Sequence, residues 1–138
     1  MRRSSICPVV LILMSGCAAT PDRPATPDHY ADCDPTLAAA MVEDGALVIE
    51  VRDDRTAPFV AGAVTLGLDD VLTTVARERR ARCGIVVVSV GGLSGPATAA
   101  LRGAGYDATD LGEVEAWRHV PRSARDALAS STRPPCAR

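Results

Sequence analysis

Continuous apolar runs alternate along the chain with segments whose apolar residues recur at helical spacing. The predicted strands are residues 47–51, 63–66, 85–88 and 108–111. The predicted helices are residues 36–42, 68–80, 97–104 and 113–119. A run that is apolar throughout, such as 85–88, is typical of a strand covered on both faces. Strands that alternate with helices predict an α/β fold with an open parallel sheet and helices on both faces.

The ends of two helices carry clear signals. Asp34 precedes Pro35 at the start of the first helix, which predicts Asp34 as the N-cap and Pro35 at the first helical position. In the third helix, Ser94 can cap the helix, Pro96 falls in the first turn and Gly105 ends it.

The first residues have the three regions of a secretory signal. Arg2 and Arg3 precede an apolar run over 6–14, and the small residues Ser15 and Gly16 follow it. The sequence Met14-Ser15-Gly16-Cys17 then resembles a lipobox, the site at which bacterial lipoproteins are cleaved before a lipid-bearing cysteine. We therefore predict a lipoprotein signal peptide over 1–16 and a membrane anchor through lipid on Cys17, since two or more acyl chains hold a protein stably. The alternative is an ordinary thiol near a plain cleavage site.

Export and lipidation place the protein in the cell envelope, in the periplasm or on the outer surface. Residues 17–29 contain Pro21, Pro24 and Pro27 without a periodic apolar pattern, and we expect an extended tether there.

Residues 30–120 form the predicted folded domain. The tail, 121–138, contains a helix-like patch over 123–129 followed by Pro134-Pro135, and we expect it to be partly ordered at best.

Length and composition narrow the possible functions. With 138 residues the chain has room for one domain, and an aromatic share of 3% requires an aliphatic core. The formal net charge of -2 gives no basic surplus, so we predict no nucleic-acid partner. The spacing of cysteine and histidine matches no metal site, and we predict no metal and no cofactor.

Four motifs in this order resemble a single rhodanese domain, and together they span the predicted domain over 30–120. They are Leu47-Val48-Ile49-Glu50-Val51-Arg52, Ile85-Val86-Val87-Val88-Ser89, Ala99-Ala100-Leu101-Arg102-Gly103-Ala104-Gly105-Tyr106 and Leu111-Gly112-Glu113-Val114-Glu115-Ala116-Trp117. The resemblance implies a rhodanese-like fold and a sulfur-carrying loop after the strand that ends at position 89. For Arg52, at the end of the first motif, we predict a structural role as partner of a carboxylate or a carbonyl.

The loop departs from the family at the residue that carries the chemistry. In an active rhodanese a cysteine thiolate takes sulfane sulfur from thiosulfate, and here that position is Ser89. A serine hydroxyl is hardly ionised near neutral pH without an adjacent base. The loop also lacks the arginine that active members use to hold the anionic donor. Its backbone amides can still form a weak anion site, for which the candidate residues are Ser89, Val90, Gly91, Gly92, Leu93, Ser94 and Gly95.

These features predict a module without sulfurtransferase activity that binds a small anion or an envelope protein. The alternative is an enzyme of the cell envelope, either an active sulfurtransferase or a hydrolase that depends on Ser89. Only two histidines, His29 and His119, are present, and we assign His119 a surface role.

Three cysteines are left after the signal and the lipidated residue: Cys33, Cys83 and Cys136. In an exported protein they allow one disulfide. We expect it to join Cys33 and Cys136, because both lie in segments that flank the domain. The alternative is that both are reduced.

Overall fold

The computed structural model describes residues 32–54, 56–130, 133, 135 and 136. The strands are β1 (Leu47–Val51), β2 (Val64–Leu66), β3 (Ile85–Ser89) and β4 (Ala108–Glu113). The α-helices are α1 (Pro35–Glu43), α2 (Val71–Val75), α3 (Ser94–Gly103) and α4 (Arg122–Ala129). Three 3₁₀ helices span Leu68–Asp70, Arg79–Cys83 and Val114–His119. The predicted signal peptide, tether and Cys17 lie outside the described residues.

The four strands form one parallel sheet in the order β2-β1-β3-β4. This arrangement confirms the predicted α/β class and the parallel sheet. Pairing between β3 and β4 is interrupted by a bulge: Val87 lies opposite Asp110, but Val88 lies opposite Gly112. Ser89 is consequently paired with Glu113, the last residue of β4.

The sheet is covered by helices on both faces, as predicted. Alternate residues of the strands belong to two separate apolar clusters, because successive side chains of a strand point to opposite faces. Val48, Val86 and Val88 pack against α1, α4 and the 3₁₀ helix Val114–His119. The neighbouring strand residues pack against α2 and α3 on the other face.

The start of α1 confirms the predicted cap. The Asp34 carboxylate accepts hydrogen bonds from the backbone amides of Thr36 at 2.9 Å and Leu37 at 3.2 Å. The start of α3 differs from the prediction, because Leu93 is the N-cap and Ser94 lies inside the first turn. The Ser94 side chain instead forms a hydrogen bond with Asp110 across the sheet edge.

The predicted helix over 68–80 is broken into three pieces, so that prediction was wrong in extent. Only Val71–Val75 is α-helical, with the 3₁₀ helices Leu68–Asp70 and Arg79–Cys83 on either side. Four of the five α2 residues, Val71, Thr73, Thr74 and Val75, have β-branched side chains, which disfavour a long helix. Leu72, one of the apolar residues at helical spacing that predict this helix and its buried face, is 45% exposed. The predicted last helix is likewise 3₁₀ over Val114–His119.

The helix-like patch predicted over 123–129 corresponds to α4, Arg122–Ala129. Ala124 and Leu128 of α4 are buried in the apolar cluster that also contains α1. Gly62 lies so close to the carbonyl of Leu128 that a side chain at position 62 would collide with it. The helix-like patch is therefore part of the packed structure.

The predicted Cys33–Cys136 disulfide is wrong. Cys136 is bonded to Cys83, with 5.9 Å between their Cα atoms, and Cys33 is also disulfide-bonded. Cys83 ends a 3₁₀ helix at the amino edge of the sheet, where the tail returns to the domain. Arg133 contributes to holding the tail there by donating a 2.8 Å hydrogen bond to the carbonyl of Ala46.

No helix within the described residues has both the length and the apolar character needed to span a bilayer.

Candidate functional site

The candidate site lies at the carboxyl edge of the sheet, where ligands bind in open parallel α/β folds. Strand β3 ends there at Ser89, which is fully buried. Its neighbours across the sheet are Val51 of β1 and Glu113 of β4. Because parallel strands end at the same edge, residues distant in sequence meet around the loop that follows Ser89.

This loop directs two backbone amides onto one carboxylate. Gly92 donates a 2.6 Å hydrogen bond to Oε1 of Glu113, and Gly91 donates a 3.1 Å bond to Oε2. The Ser89 hydroxyl lies 3.4 Å from Oε1 of the same side chain. Both glycines have positive φ, +82° and +77°, a backbone conformation that side chains rarely allow. Successive amides that point to one side in this way form an anion-binding concavity.

The other predicted loop residues have different roles. The amide of Val90 continues the sheet by donating to the carbonyl of Val51 at 3.0 Å, and its side chain packs against an apolar cluster. Leu93 packs on the opposite face of the sheet. Ser94 is buried against Asp110, and the next residue, Gly95, lines a cavity. Within the loop, only Gly91 and Gly92 donate amides to the carboxylate.

Glu113 is the residue that the sequence analysis missed. The sequence places Glu113 in the motif that includes Trp117 and predicts no separate role for it. The only signal in the sequence is a charged residue two positions after a short predicted strand, where the predicted last helix begins, and such residues are common there. The bulge in β4 pairs Glu113 with Ser89, and no pattern in the sequence predicts this bulge.

A cavity of about 730 Å³ opens beside the loop. Gly92 and the first turns of α3 form one side, and Leu111 to Glu113 form another. Its rim carries an ion pair, in which the Arg102 guanidinium lies 2.7 Å from the carboxylate of Asp32. Asp32 also accepts a 3.1 Å hydrogen bond from the amide of Asp110, which ties the rim to β4.

Asp110 is the most buried carboxylate of this cavity, with 8% of its surface exposed. Its side chain accepts a 2.8 Å hydrogen bond from the amide of Gly112 and also bonds with Ser94. Burial raises the pKa of Asp110 above its ordinary value, because removing water disfavours the charged carboxylate more than these bonds favour it. The cavity wall thus contains a carboxyl group that releases its proton less readily than an exposed carboxyl group does.

Arg52 has the structural role that we predicted. Its guanidinium donates hydrogen bonds to the carboxylates of Glu50 and Asp54, and to the carbonyl of Ala57 at 2.8 Å. The ring of Phe59 covers the guanidinium, with the ring centre 5.1 Å away. The hydrogen bond from Arg52 also keeps the pKa of Asp54 below its ordinary value. These contacts fix the loop after β1, which borders the same edge of the sheet.

Neither Cys83 nor His119 lies at this edge. Cys83 is held in a disulfide at the opposite end of β3, and His119 is exposed at the end of a 3₁₀ helix. His29 lies outside the described residues. Among the residues that the structure covers, no three His, Cys, Asp or Glu side chains form a group that could hold a metal ion.

Comparisons with protein-family models, with curated proteins and with solved structures found no match for this chain.

Proposed function

We propose that this chain is an exported, lipid-anchored protein whose domain is a rhodanese-like binding module without sulfurtransferase activity. The observation that carries the proposal is the position of Ser89. A fully buried hydroxyl, with Glu113 as its hydrogen-bonding partner, stands at the end of β3, where the resemblance requires a thiolate.

The placement of the four motifs supports the rhodanese-like part of the proposal. The first motif forms β1 and leads through Arg52 into a fixed loop. The second forms β3 and ends at Ser89, and the third forms the second half of α3 and its terminal turn. The fourth contains the end of β4 and the buried Trp117. Three of the four motifs therefore contribute strands to one sheet and border its carboxyl edge, and the helix of the third motif packs on that sheet.

The electrostatics of the loop support the absence of sulfur transfer. A serine needs an adjacent base to become a nucleophile, and no histidine contacts Ser89 among the described residues. The carboxylate of Glu113 does contact it, at 3.4 Å, but two backbone amides already stabilise the charged form of that carboxylate and so weaken it as a base. The carboxylate of Glu113 occupies the amides of Gly91 and Gly92. An anionic donor such as thiosulfate would meet that negative charge, and the loop offers no arginine or lysine to offset it.

The cavity beside the loop supports a binding role. At about 730 Å³ it falls within the range of small-molecule sites, which is roughly 300–1,000 Å³. Apolar surfaces from Pro96, Ala99 and Leu111 surround a few polar groups, including Asp110 and Arg102. This combination suits a small molecule or a side chain of an envelope protein.

The absence of sulfur transfer is tested with the full-length protein in detergent, with thiosulfate as donor and cyanide as acceptor. We expect no turnover above that of the Ser89→Ala variant. Turnover that Ser89→Ala abolishes would overturn the proposal, because it would give Ser89 a catalytic role.

The lipid anchor is tested separately by growing expressing cells with an alkyne-tagged fatty acid. We expect the tag on the wild-type protein and on a Ser15→Ala control, and its loss from the Cys17→Ser variant. An unlabelled wild-type protein would contradict the anchor and leave the proposal for the loop unchanged.

A further inference from the structure

We propose that Glu113 is a built-in occupant of the amide site made by Gly91 and Gly92, and that it excludes external oxyanions from the loop. The inference deepens the proposed function and rests on its statement that the Glu113 carboxylate occupies the loop amides and opposes an anionic donor. The Glu113 carboxylate competes with free anions for the two glycine amides. The ligand class of the site is a small oxyanion such as sulfate or thiosulfate.

The geometry is that of a bound anion. Each carboxylate oxygen of Glu113 accepts one glycine amide, at 2.6 Å and 3.1 Å, and the Ser89 hydroxyl approaches one of them. Hydrogen bonds to a charged acceptor are shorter and about twice as strong as neutral ones. The 2.6 Å bond from Gly92 fits that description.

There is space for a larger anion once the side chain is removed. A methyl group built on Gly91 or on Gly92 would meet no heavy atom within 4 Å, so the outer side of the turn is open. Gly92 and Glu113 both line the cavity of about 730 Å³, which supplies a route from solvent. The glycine amides can therefore be reached by a free ion when Glu113 does not occupy them.

Tethering explains why Glu113 prevails over a free ion. Its carboxylate is held on the end of β4, beside Ser89, by the pairing of the two strands. A group attached in this way has an effective concentration on the order of millimolar or higher. A weakly bound external anion must displace it and also approach its negative charge, which lowers the apparent affinity further.

The test is an NMR titration of the full-length protein in detergent, following the amide signals of Gly91 and Gly92. Wild type is compared with Glu113→Ala and with the matched control Glu115→Ala. Glu115 is an exposed residue two positions further on, with the same charge and no hydrogen bond to the loop. The probes are sodium sulfate and sodium thiosulfate, with sodium chloride at the same ionic strength as reference.

We expect saturable shifts of both glycine signals in Glu113→Ala, with an apparent Kd at least tenfold lower than in wild type and in Glu115→Ala. Equal responses in all three proteins, or no saturable response in Glu113→Ala, would overturn the inference. The isosteric Glu113→Gln variant replaces Glu113→Ala if the latter does not fold, with the same criteria. The result is independent of sulfur transfer, because anion binding is read without a turnover assay.

Discussion

The guanidinium of Arg52 lies 2.8 Å from the carboxylate of Glu50, and neither side chain has more than about 1% of its surface exposed. The same carboxylate accepts the amides of Phe59 and Val60, which lie beyond the loop. A charged residue in the middle of an apolar strand thus organises the segment that follows β1. Glu50 stabilises the fold because it gives hydrogen-bond acceptors to a guanidinium and to amides that would otherwise be buried without partners.

We predict that Glu50→Ala lowers the free energy of unfolding by about 3–5 kcal/mol, the usual cost of removing one member of a buried ion pair. The amides of Phe59 and Val60 lose their acceptor in the same variant. Urea denaturation followed by circular dichroism measures the change. Glu43→Ala, at an exposed position at the end of α1, is the control and should change stability by no more than about 0.5 kcal/mol. Equal stability of the two variants would contradict the role of Glu50.

The Cys83–Cys136 disulfide should stabilise the protein by restricting the unfolded chain. It joins residues 53 positions apart, for which the chain-entropy description gives about 4 kcal/mol. We expect Cys136→Ser and the double variant Cys83→Ser with Cys136→Ser to lose similar amounts, since each removes the same bond. Non-reducing peptide mapping should find the two cysteines in one cross-linked peptide pair. A pair that joins Cys33 to Cys136 would refute the assignment.

Restoring a thiol at position 89 should not by itself restore sulfur transfer. In Ser89→Cys, the carboxylate of Glu113 still fills the loop amides and repels thiosulfate. Adding Glu113→Ala should raise kcat/KM for thiosulfate about tenfold over Ser89→Cys, which corresponds to about 1.4 kcal/mol. Adding Glu115→Ala instead should give no increase. If both double variants have the same kcat/KM for thiosulfate, the charge of Glu113 does not limit the reaction with this donor.

Asp110 should make the stability of the protein depend on pH with a defined sign. Burial raises its pKa in the folded state, so the folded protein holds this proton more tightly than the unfolded chain. The favourable contribution is complete below the unfolded pKa of about 3.9 and is lost as the pH rises through the higher folded value. Asp110→Asn does not titrate, so its thermal midpoint relative to wild type should increase from pH 3 to pH 7. A constant difference for Asp110→Asn would exclude the effect.

The sheet and the first helix could be predicted from the sequence because local signals and packing agree there. The strands β1 and β3 are apolar at nearly every position, and Asp34-Pro35 marks a helix start that the structure reproduces. The helix over 68–80 could not be predicted in its true form. An apolar stripe alone does not reveal that branched residues such as Thr73 and Thr74 shorten it.

The sequence predicts one part of the candidate site, the loop after β3, but not the carboxylate that binds to its amides. The loop over 89–95 could be located, since the glycines that follow β3 mark a turn with exposed amides. Its occupant could not, because Glu113 lies 21 residues beyond Gly92 and reaches it through strand pairing. The disulfide was missed for a related reason: Cys136 is held near Cys83 by the packing of α4 and the contacts of Arg133, which follow from tertiary structure.

The bulge in β4 decides which side chain stands beside Ser89. Leu111 is the extra residue between the partners of Val87 and Val88, and an unbroken register would place Gly112 opposite Ser89. Glycine brings no side chain to that place, whereas the shifted register brings a carboxylate. The chemical character of this edge is thus set by the length of one strand as much as by the identity of its residues. Two chains with identical loops but strands that differ by a single residue would present different surfaces to the same ligand.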